Sequence, residues 1–181
     1  MNFIETKLKG CFIIEPALFA DDRGYFFESF NEERFNKGIG TNVDFVQDNQ
    51  SFSQHGVIRA IHYQLGENAQ AKLVRVLHGK VIDVAVDLRK GSETFGQHIA
   101  VELSGENKKQ LFIPRGFGHG FSVVSETAEF FYKCDNYYNK ESEGGIVFND
   151  ETLQIDWKIE SSKIKVSEKD MVLPTLNLAR L

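Results

Sequence analysis

Short runs of β-branched and aromatic residues, separated by turn formers, constrain most strongly what this chain can fold into. The runs read CFIIEPALF, GYFFESF, GVIRAIHYQ, KLVRVLHGKVIDVAVDLR, GQHIAVELS, KQLFIPRGF, GHGFSVVS, AEFFYKCDNYY and GGIVFND. Val, Ile, Phe and Tyr favour strands, whereas Gly, Asn, Asp and Ser favour the turns between them. Many short strands at close spacing indicate a closed barrel or jelly roll, in which few strand edges stay exposed. The sequence therefore predicts an all-β protein.

One helix is predicted within this pattern, in the segment NEERFNKG. Asn31 is expected to cap its N-terminus and Gly38 to end it, because these residue types favour those two positions. No repeat or low-complexity linker divides the 181 residues. We therefore expect one domain over residues 1–181, which is long enough to bury a sizeable core.

Charge and cysteine content exclude several classes of protein. The net charge of −5 argues against a nucleic-acid partner, although local Arg and Lys can still make a cleft attractive to an anion. The N-terminus lacks the apolar segment of a signal peptide, and no run of about 18 apolar residues predicts a membrane span. Cys11 and Cys134 are too few for a disulfide framework and lack zinc-binding spacing. We expect a cytoplasmic protein without a membrane partner, in which both thiols are reduced and buried.

The stretch RAIHYQLGENAQAKLVRVLHGKVIDVAVD, residues 59–87, places ionisable side chains among apolar neighbours. Uninterrupted alternation would put Lys72 on the same face as Val84, with a bend at Gly79 between two strands. Arg59 and His62 have opposite parity in a regular strand. They reach one pocket only if a β-bulge separates them or if Arg59 enters from the pocket rim.

Histidines on neighbouring strands raise the question of a metal site. His62 lies inside one predicted strand, and His119 lies in PRGFGHGF at the start of another. The strand pattern resembles the cupin scaffold, whose metal-binding members carry a His-X-His sequence on one hairpin. Here that hairpin reads His62-Tyr63-Gln64, which leaves only Glu67 and His119 to assist His62. A transition metal usually needs three or four protein ligands, so we expect no metal.

Without a metal, the residue types suit proton transfer at carbon. An imidazole such as that of His62 has an ordinary pKa near 6.5 and serves as a general base once a carboxylate orients it. A cation such as Lys72 would stabilise the oxygen of an enolate. A tyrosine on the opposite wall could return a proton, and the segment FFYKCDNYY offers Tyr132, Tyr137 and Tyr138.

Five motifs, in order along the chain, carry a resemblance to a known family. They are DDRGYFFESF, FVQDNQSFSQHGVIRAIHYQ, KLVRVLHGKVIDVAVDLR, IPRGFGHGF and SEKD. Together they resemble the dTDP-4-dehydrorhamnose 3,5-epimerase family, from about Gly10 to Asp170. Ala60 departs from the family pattern, which usually has Gly there, and we expect little consequence because Ala is also small.

The resemblance implies a homodimeric, cupin-like jelly roll that acts without a cofactor on dTDP-4-dehydro-6-deoxy-D-glucose. The 4-keto group acidifies the protons on both flanking carbons, so one pocket can invert C3 and C5 in turn. Carried onto matching positions, His62 would be the base and Asp170 its orienting carboxylate. Lys72 would hold the enolate oxygen, and Tyr132 would be the acid on the opposite face.

The resemblance also implies a set of substrate contacts. In the family, Arg23 and its neighbours tend to come from the partner subunit, so the active site would need the dimer. Tyr138 would stack on the thymine. The full implied set is Arg23, Glu28, Gln47, Asp48, Asn49, Arg59, Lys72, His119, Tyr138, Glu143 and Lys169.

Three other functions stay open at this point. A 3-epimerase, 5-epimerase or ketoisomerase of another dTDP-deoxysugar pathway would share the scaffold and the nucleotide contacts. A non-catalytic sugar-nucleotide binding module would be favoured if His62, Lys72 or Tyr132 were replaced, and none is. A metal-dependent cupin oxygenase would need the missing His-X-His.

Overall fold

Strands account for most of the regular structure, as the sequence predicts. The computed structural model describes all 181 residues. The first strands are β1 (Asn2–Glu5), β2 (Phe12–Glu15), β3 (Phe19–Asp21), β4 (Gly24–Phe26), β5 (Gln47–Gln54), β6 (Ile58–Gln64) and β7 (Lys72–His78). The remaining strands are β8 (Lys80–Asp87), β9 (His98–Ser104), β10 (Gln110–Ile113), β11 (Phe117–Val123), β12 (Thr127–Cys134) and β13 (Glu143–Gly145).

Helices are few and short. The α-helices are α1 (Glu32–Ile39) and α2 (Glu168–Met171), and single 3₁₀ turns occupy Gly66–Asn68, Lys140–Ser142, Ser161–Lys163 and Leu176–Leu178. No helix combines the length and the apolar character needed to cross a membrane.

Two antiparallel sheets face each other, and β3 and β4 form a separate hairpin. The larger sheet has the strand order β1-β2-β10-β7-β12-β5, and the smaller has the order β13-β6-β11-β8-β9. This is the all-β, cupin-like jelly roll expected from the sequence. The edge strands of both sheets include short ones, β1 and β13, which limits the exposed edge.

The main core fills the space between the sheets. Val74 of β7 and Phe130 of β12 meet Val81 of β8 and Phe121 of β11 there, and each is at least 96% buried. Burying one such side chain stabilises the fold by about 1.5–3 kcal/mol. A second cluster lies behind the smaller sheet, where the chain after residue 145 covers it. A third lies behind the larger sheet, under α1. These layers leave one end of the main core open to solvent for the cavity described below.

The bend at Gly79 is confirmed, but the predicted alternation through it is wrong. Gly79 has φ +78°, a conformation that favours glycine. The turn carries the chain from β7 in the larger sheet to β8 in the smaller one. Beyond this turn the odd-numbered residues of the strand face the interior, instead of the even-numbered ones. Val81 packs in the main core, whereas Val84 packs in the cluster behind the smaller sheet. Lys72 and Val84 therefore do not share a face.

The predicted helix is present, although its end was placed two residues too early. Asn31 caps α1 as expected, since its side chain accepts a hydrogen bond from the backbone N–H of Arg34. The left-handed residue at the C-terminus is Gly40, with φ +75°, and not Gly38. Gly38 lies inside the helix, at a position where a Cβ would come within 2.3 Å of the Phe3 ring. The glycine allows α1 to pack closely on β1.

Of the two arrangements that would bring Arg59 and His62 to one pocket, the structure has the first, a β-bulge in β6. Opposite β11, His119 pairs with His62 and Phe121 pairs with Arg59, so three steps along β6 match two along β11. Ala60 and Ile61 are both fully buried behind the smaller sheet. The extra residue returns Arg59 and His62 to the same side.

Both cysteine thiols are free and buried, as expected. Burial raises the pKa of Cys11 to about 12 and that of Cys134 to about 11. Because the thiolate is the reactive form, these are packing residues with low reactivity.

Candidate active site

A cavity of about 330 Å³ opens between the two sheets. Strands of the larger sheet supply one wall, and β6, β11 and β13 supply the other. Eight of the residues predicted from the sequence line it: Asn49, Arg59, His62, Lys72, His119, Tyr132, Tyr138 and Glu143. The fold therefore gathers into one cavity residues that are up to 94 positions apart in the chain (143 − 49).

His62 and Asp170 form a hydrogen-bonded pair on the cavity wall. The His62 Nε2 lies 2.8 Å from Asp170 Oδ1. Burial alone would raise the pKa of Asp170, but the hydrogen bond and charge of His62 outweigh it, so the pKa lies below its ordinary value. Asp170 is thus a carboxylate that accepts a hydrogen bond from Nε2–H. The other ring nitrogen of His62, Nδ1, is left as the one that can accept a proton.

Short-range structure fixes Asp170 in place. It lies in α2, whose N-terminus is capped by Ser167: the serine hydroxyl accepts a hydrogen bond from the backbone N–H of Asp170. The carboxylate side chain is 7% exposed, against 33% for His62. The orienting carboxylate is therefore hidden, while the imidazole reaches the cavity.

Lys72 and Tyr132 lie on the opposite wall, on the neighbouring strands β7 and β12. The Lys72 Nζ is 5.8 Å from the centroid of the Tyr132 ring. No salt bridge or hydrogen bond of the protein occupies this ammonium, and burial lowers the pKa of Lys72. Burial raises the pKa of Tyr132, which keeps its phenol protonated. An imidazole on one sheet thus faces a phenol and an unpaired ammonium on the other, an arrangement that could serve acid–base chemistry.

A second histidine–carboxylate pair adjoins the first. His119 pairs directly with His62 across β11 and β6, and its Nε2 lies 3.2 and 3.0 Å from the two oxygens of Asp83. Burial lowers the pKa of His119, and the charge of Asp83 opposes this effect. Asp83 was not predicted from the sequence as a site residue. Its carboxylate inside the apolar run VIDVAVD was the signal, because a buried carboxylate requires a partner.

Arg59 reaches the cavity with one edge of its guanidinium already held. Its Nε donates to the Ser53 hydroxyl at 3.2 Å, and Ser53 is buried in β5. The two terminal nitrogens of Arg59 stay available for an anion, and a guanidinium is well suited to bind phosphate oxygens. Ser53 was not predicted from the sequence.

The cavity rim carries three linked polar side chains. The Tyr138 hydroxyl donates to Glu143 Oε2 at 3.1 Å, and Lys169 Nζ donates to Glu143 Oε1 at 2.6 Å. Burial raises the pKa of Glu143, but the bonds from Lys169 and Tyr138 outweigh it and bring the pKa below its ordinary value. Gln47 adjoins this group, because its Oε1 accepts the backbone N–H of Tyr138.

Three predicted substrate contacts point away from the cavity of their own chain. Arg23 lies at the tip of the β3–β4 hairpin, pairs with Asp21 and has a side chain 86% exposed. Glu28 pairs with Arg34 at 3.1 Å. Asp48 binds Lys133, with Nζ 2.9 and 3.1 Å from its oxygens. No group of three or more His, Cys, Asp or Glu side chains is placed to hold a metal ion.

A jelly roll with a histidine–aspartate pair facing a tyrosine and a lysine across one cavity defines an isomerase that moves protons at carbon. A family model described as dTDP-4-dehydrorhamnose 3,5-epimerase matches residues 5–177. The enzyme of that name from Salmonella typhimurium is 52% identical over 181 residues, which cover 100% of this chain and 98% of the relative. The chain belongs to the dTDP-4-dehydrorhamnose 3,5-epimerase family.

Solved structures agree with this membership. The crystal structure of dTDP-4-dehydrorhamnose 3,5-epimerase from Elizabethkingia anophelis is 57% identical, with a TM-score of 0.94, and the match covers 98% of this chain and 97% of that one. The dTDP-6-deoxy-D-glucose-3,5-epimerase from Legionella pneumophila is 50% identical, with a TM-score of 0.94 over 98% of this chain and 93% of that one. The Legionella structure is a complex with dTDP-4-keto-L-rhamnose.

Proposed function

We propose that this chain epimerises dTDP-4-dehydro-6-deoxy-D-glucose at C3 and C5, giving dTDP-4-dehydro-L-rhamnose for dTDP-L-rhamnose biosynthesis. The observation that carries the proposal is the placement of His62, held by Asp170, on one wall of the cavity and Tyr132 on the other. Inversion at carbon requires a proton to leave one face and another to arrive at the opposite face. The two walls supply a base and an acid in that arrangement.

The reaction begins at His62. Its Nδ1 takes the proton from a carbon next to the 4-keto group, and the electrons of the C–H bond pass into the carbonyl to form an enolate. Asp170, bonded to Nε2–H, steadies the imidazolium that results. Lys72 has no protein counter-ion, so its ammonium is free to stabilise the enolate oxygen. His119 lines the cavity on the wall opposite Lys72.

Tyr132 completes the inversion. Its phenol donates a proton to the opposite face of the same carbon, and the enolate electrons return to form the new C–H bond. The raised pKa of Tyr132 keeps its phenol protonated at neutral pH, so a proton is present beside the carbon where the carbanion develops. The phenol is reprotonated from solvent, His62 releases its proton, and the same groups then act at the second carbon.

The nucleotide is proposed to bind along the rim and the Arg59 side of the cavity. Arg59 binds the diphosphate, Tyr138 stacks on thymine, and Gln47, Asn49, Glu143 and Lys169 supply polar contacts. The relative from Legionella that holds dTDP-4-keto-L-rhamnose supports a dTDP-sugar as ligand.

We further propose a homodimer in which each cavity is completed by the partner chain. Arg23 and Glu28 point away from their own cavity. The hairpin that carries Arg23 exposes Phe19 and Phe26 at 66% and 70%. Apolar side chains exposed this far on one hairpin favour burial against another surface. In the dimer, Arg23, Glu28 and Asp48 would contact substrate.

We also propose that residues 1–181 act as a single epimerase domain in the cytoplasm. The family model spans residues 5–177 without a break. The two thiols are free and buried, which suits a reducing compartment.

The test is turnover of dTDP-4-dehydro-6-deoxy-D-glucose coupled to a reductase that accepts only the L-configured 4-keto product. We expect NADPH oxidation that depends on this chain, with dTDP-L-rhamnose as the final product. Two rival functions give different results. A single-site epimerase or a ketoisomerase would consume the substrate without supplying the reductase, and a binding module would leave the substrate unchanged.

A further inference from the structure

Gln64 stands out among the cavity residues because half of its amide group is unused. It lies on β6 two residues after His62, lines the cavity, and is 92% buried. Its Oε1 accepts the backbone N–H of Asn139 at 2.9 Å. That bond fixes which end of the amide is oxygen, because a backbone N–H can only be met by an acceptor.

The NH₂ end of Gln64 consequently faces the cavity. It donates to no protein group. Every fully buried side-chain nitrogen and oxygen in the molecule has a hydrogen-bond partner, so this nitrogen is not fully buried. The Nε2 therefore opens to the cavity. A donor that is fixed in direction and enclosed by protein is suited to bind an acceptor on a ligand.

The amide nitrogens of the neighbouring glutamines are each already bonded to the protein. The Nε2 of Gln47 donates to Asn49 at 3.0 Å, that of Gln50 to Glu129 at 2.6 Å, and that of Gln70 to the backbone of Asn136 at 2.8 Å. Among the four glutamines around the cavity, Gln64 is the one whose amide nitrogen makes no bond to the protein, so both of its N–H groups are free for a ligand.

The position of Gln64 indicates which part of a ligand it meets. Its oxygen holds Asn139, the residue after Tyr138, and it pairs across the sheet with Glu143. We propose that the Gln64 amide donates a hydrogen bond to an acceptor oxygen of the nucleotide part of the dTDP-sugar. The same side chain, through Asn139, positions the loop that carries Tyr138. This inference rests on the proposed function, because it assumes that the nucleotide lies on Tyr138.

The substitution Gln64→Glu isolates the donor. A carboxylate has nearly the same shape and keeps an oxygen for the Asn139 N–H, but replaces the NH₂ group with a second oxygen. Gln54→Glu is the matched control, since Gln54 is exposed at the end of β5 and does not line the cavity. The readouts are the Kd of dTDP by calorimetry, and KM and kcat for the dTDP-sugar.

We expect Q64E to weaken dTDP binding about tenfold or more and to raise KM similarly, with kcat changed far less. The control should stay within about twofold of wild type. Because salt screens repulsion between charges but does not restore a missing donor, the loss should persist at high salt. Wild-type affinity in a folded Q64E, a loss abolished by salt, or a raised KM with unchanged dTDP binding would each overturn the proposal.

A measurement on the wild-type protein does not depend on how the variant folds. In ¹⁵N spectra of the glutamine side chains, the assigned Gln64 NH₂ signals should shift on titration with dTDP. Unshifted signals at saturation would overturn the contact. If wild type binds dTDP but does not turn the sugar over, the proposed function fails while both tests of Gln64 still give a result.

Discussion

At the scale of single residues, the chemistry depends on which atoms of His62 are committed. Asp170 occupies Nε2, so in the proposed mechanism Nδ1 is the atom that takes a proton from substrate. The partner carboxylate has a lowered pKa and remains charged at neutral pH. The pair is therefore ready to accept a proton without reorganising.

Replacing His62 tests this assignment. His62→Ala should lower kcat by about 10²–10⁴-fold or more, because it removes a positioned general base. The Kd of dTDP should stay close to wild type, since the nucleotide contacts are elsewhere. His78→Ala is the control, because His78 is exposed and outside the cavity. Turnover within a few-fold of wild type would refute the role of His62.

A second carboxylate governs stability instead of chemistry. Asp87 is fully buried and accepts hydrogen bonds from Arg89, Ser92 and Thr94, which hold the loop after β8. Burial raises the pKa of Asp87, but these bonds outweigh it and bring the pKa well below its ordinary value of 3.8. Its contribution to stability is therefore present above that value and is lost as the pH falls towards the lower folded-state pKa.

Asp87→Asn should lower the free energy of unfolding by about 3 kcal/mol at neutral pH, because Arg89 loses its buried partner. The difference from wild type should shrink as the pH falls below 3.8, the ordinary value for this carboxyl. Urea unfolding at several pH values measures both effects. Asp156→Asn, which breaks an exposed pair with Lys158, should change the free energy of unfolding far less than Asp87→Asn does. A pH-independent difference would contradict the account of Asp87.

At the scale of secondary-structure elements, the bulge in β6 decides whether Arg59 and His62 share a cavity. Gly120 of β11 lies against it: a Cβ at this position would approach the Arg59 carbonyl oxygen to 2.8 Å and the Ala60 Cα to 2.9 Å. Backbone atoms cannot move aside as a flexible side chain does. The glycine thus allows the close approach of the two strands.

Gly120→Ala should therefore displace β6 and reduce kcat/KM by about 10²-fold, since a shift of about 1 Å is enough to misplace a catalytic group. Activity assays and thermal unfolding provide the measurement. Gly91→Ala is the control: Gly91 has a positive φ, which Gly120 does not, and open space around it, so the substitution should cost about 1–2 kcal/mol of stability without loss of activity. Wild-type kcat/KM in Gly120→Ala would show that the bulge tolerates a methyl group.

Local patterns predict elements better than they predict which face is buried. The strand runs, the Asn31 cap and the bend at Gly79 followed from residue preferences, and the parity of Arg59 and His62 gave the bulge as one of two possibilities. The buried face of β8 did not follow from such preferences, because the alternation of inward and outward residues inverts where the chain changes sheets. The prediction that Gly38 ends the helix was wrong, because the glycine is needed for a tertiary contact with Phe3 that the local sequence does not show.

At the scale of the whole molecule, the site depends on contacts between distant parts of the chain. His62 and Asp170 are 108 residues apart, and no local pattern pairs them. Their pairing was expected only from the family resemblance. Asp83 and Gln64 went unassigned for the same reason, since their partners become visible only once the sheets are assembled.

The proposed dimer gives a complementation prediction. His62→Ala and Arg23→Ala should each be inactive alone if Arg23 acts in the partner's cavity. Co-expressed chains should recover about a quarter of wild-type activity, because half of the dimers are hybrids with one intact site of two. Light scattering on each sample checks that dimers form. Activity no greater than the sum of the parents would contradict a shared site.

The most direct test of the central claim is the reaction run in D₂O, with the position of deuterium read by NMR. An enolate mechanism with a solvent-exchanging acid predicts label at both C3 and C5 of an L-rhamno product. Label at only one of these carbons would contradict double epimerisation. Unlabelled substrate recovered after tight dTDP binding would contradict catalysis itself.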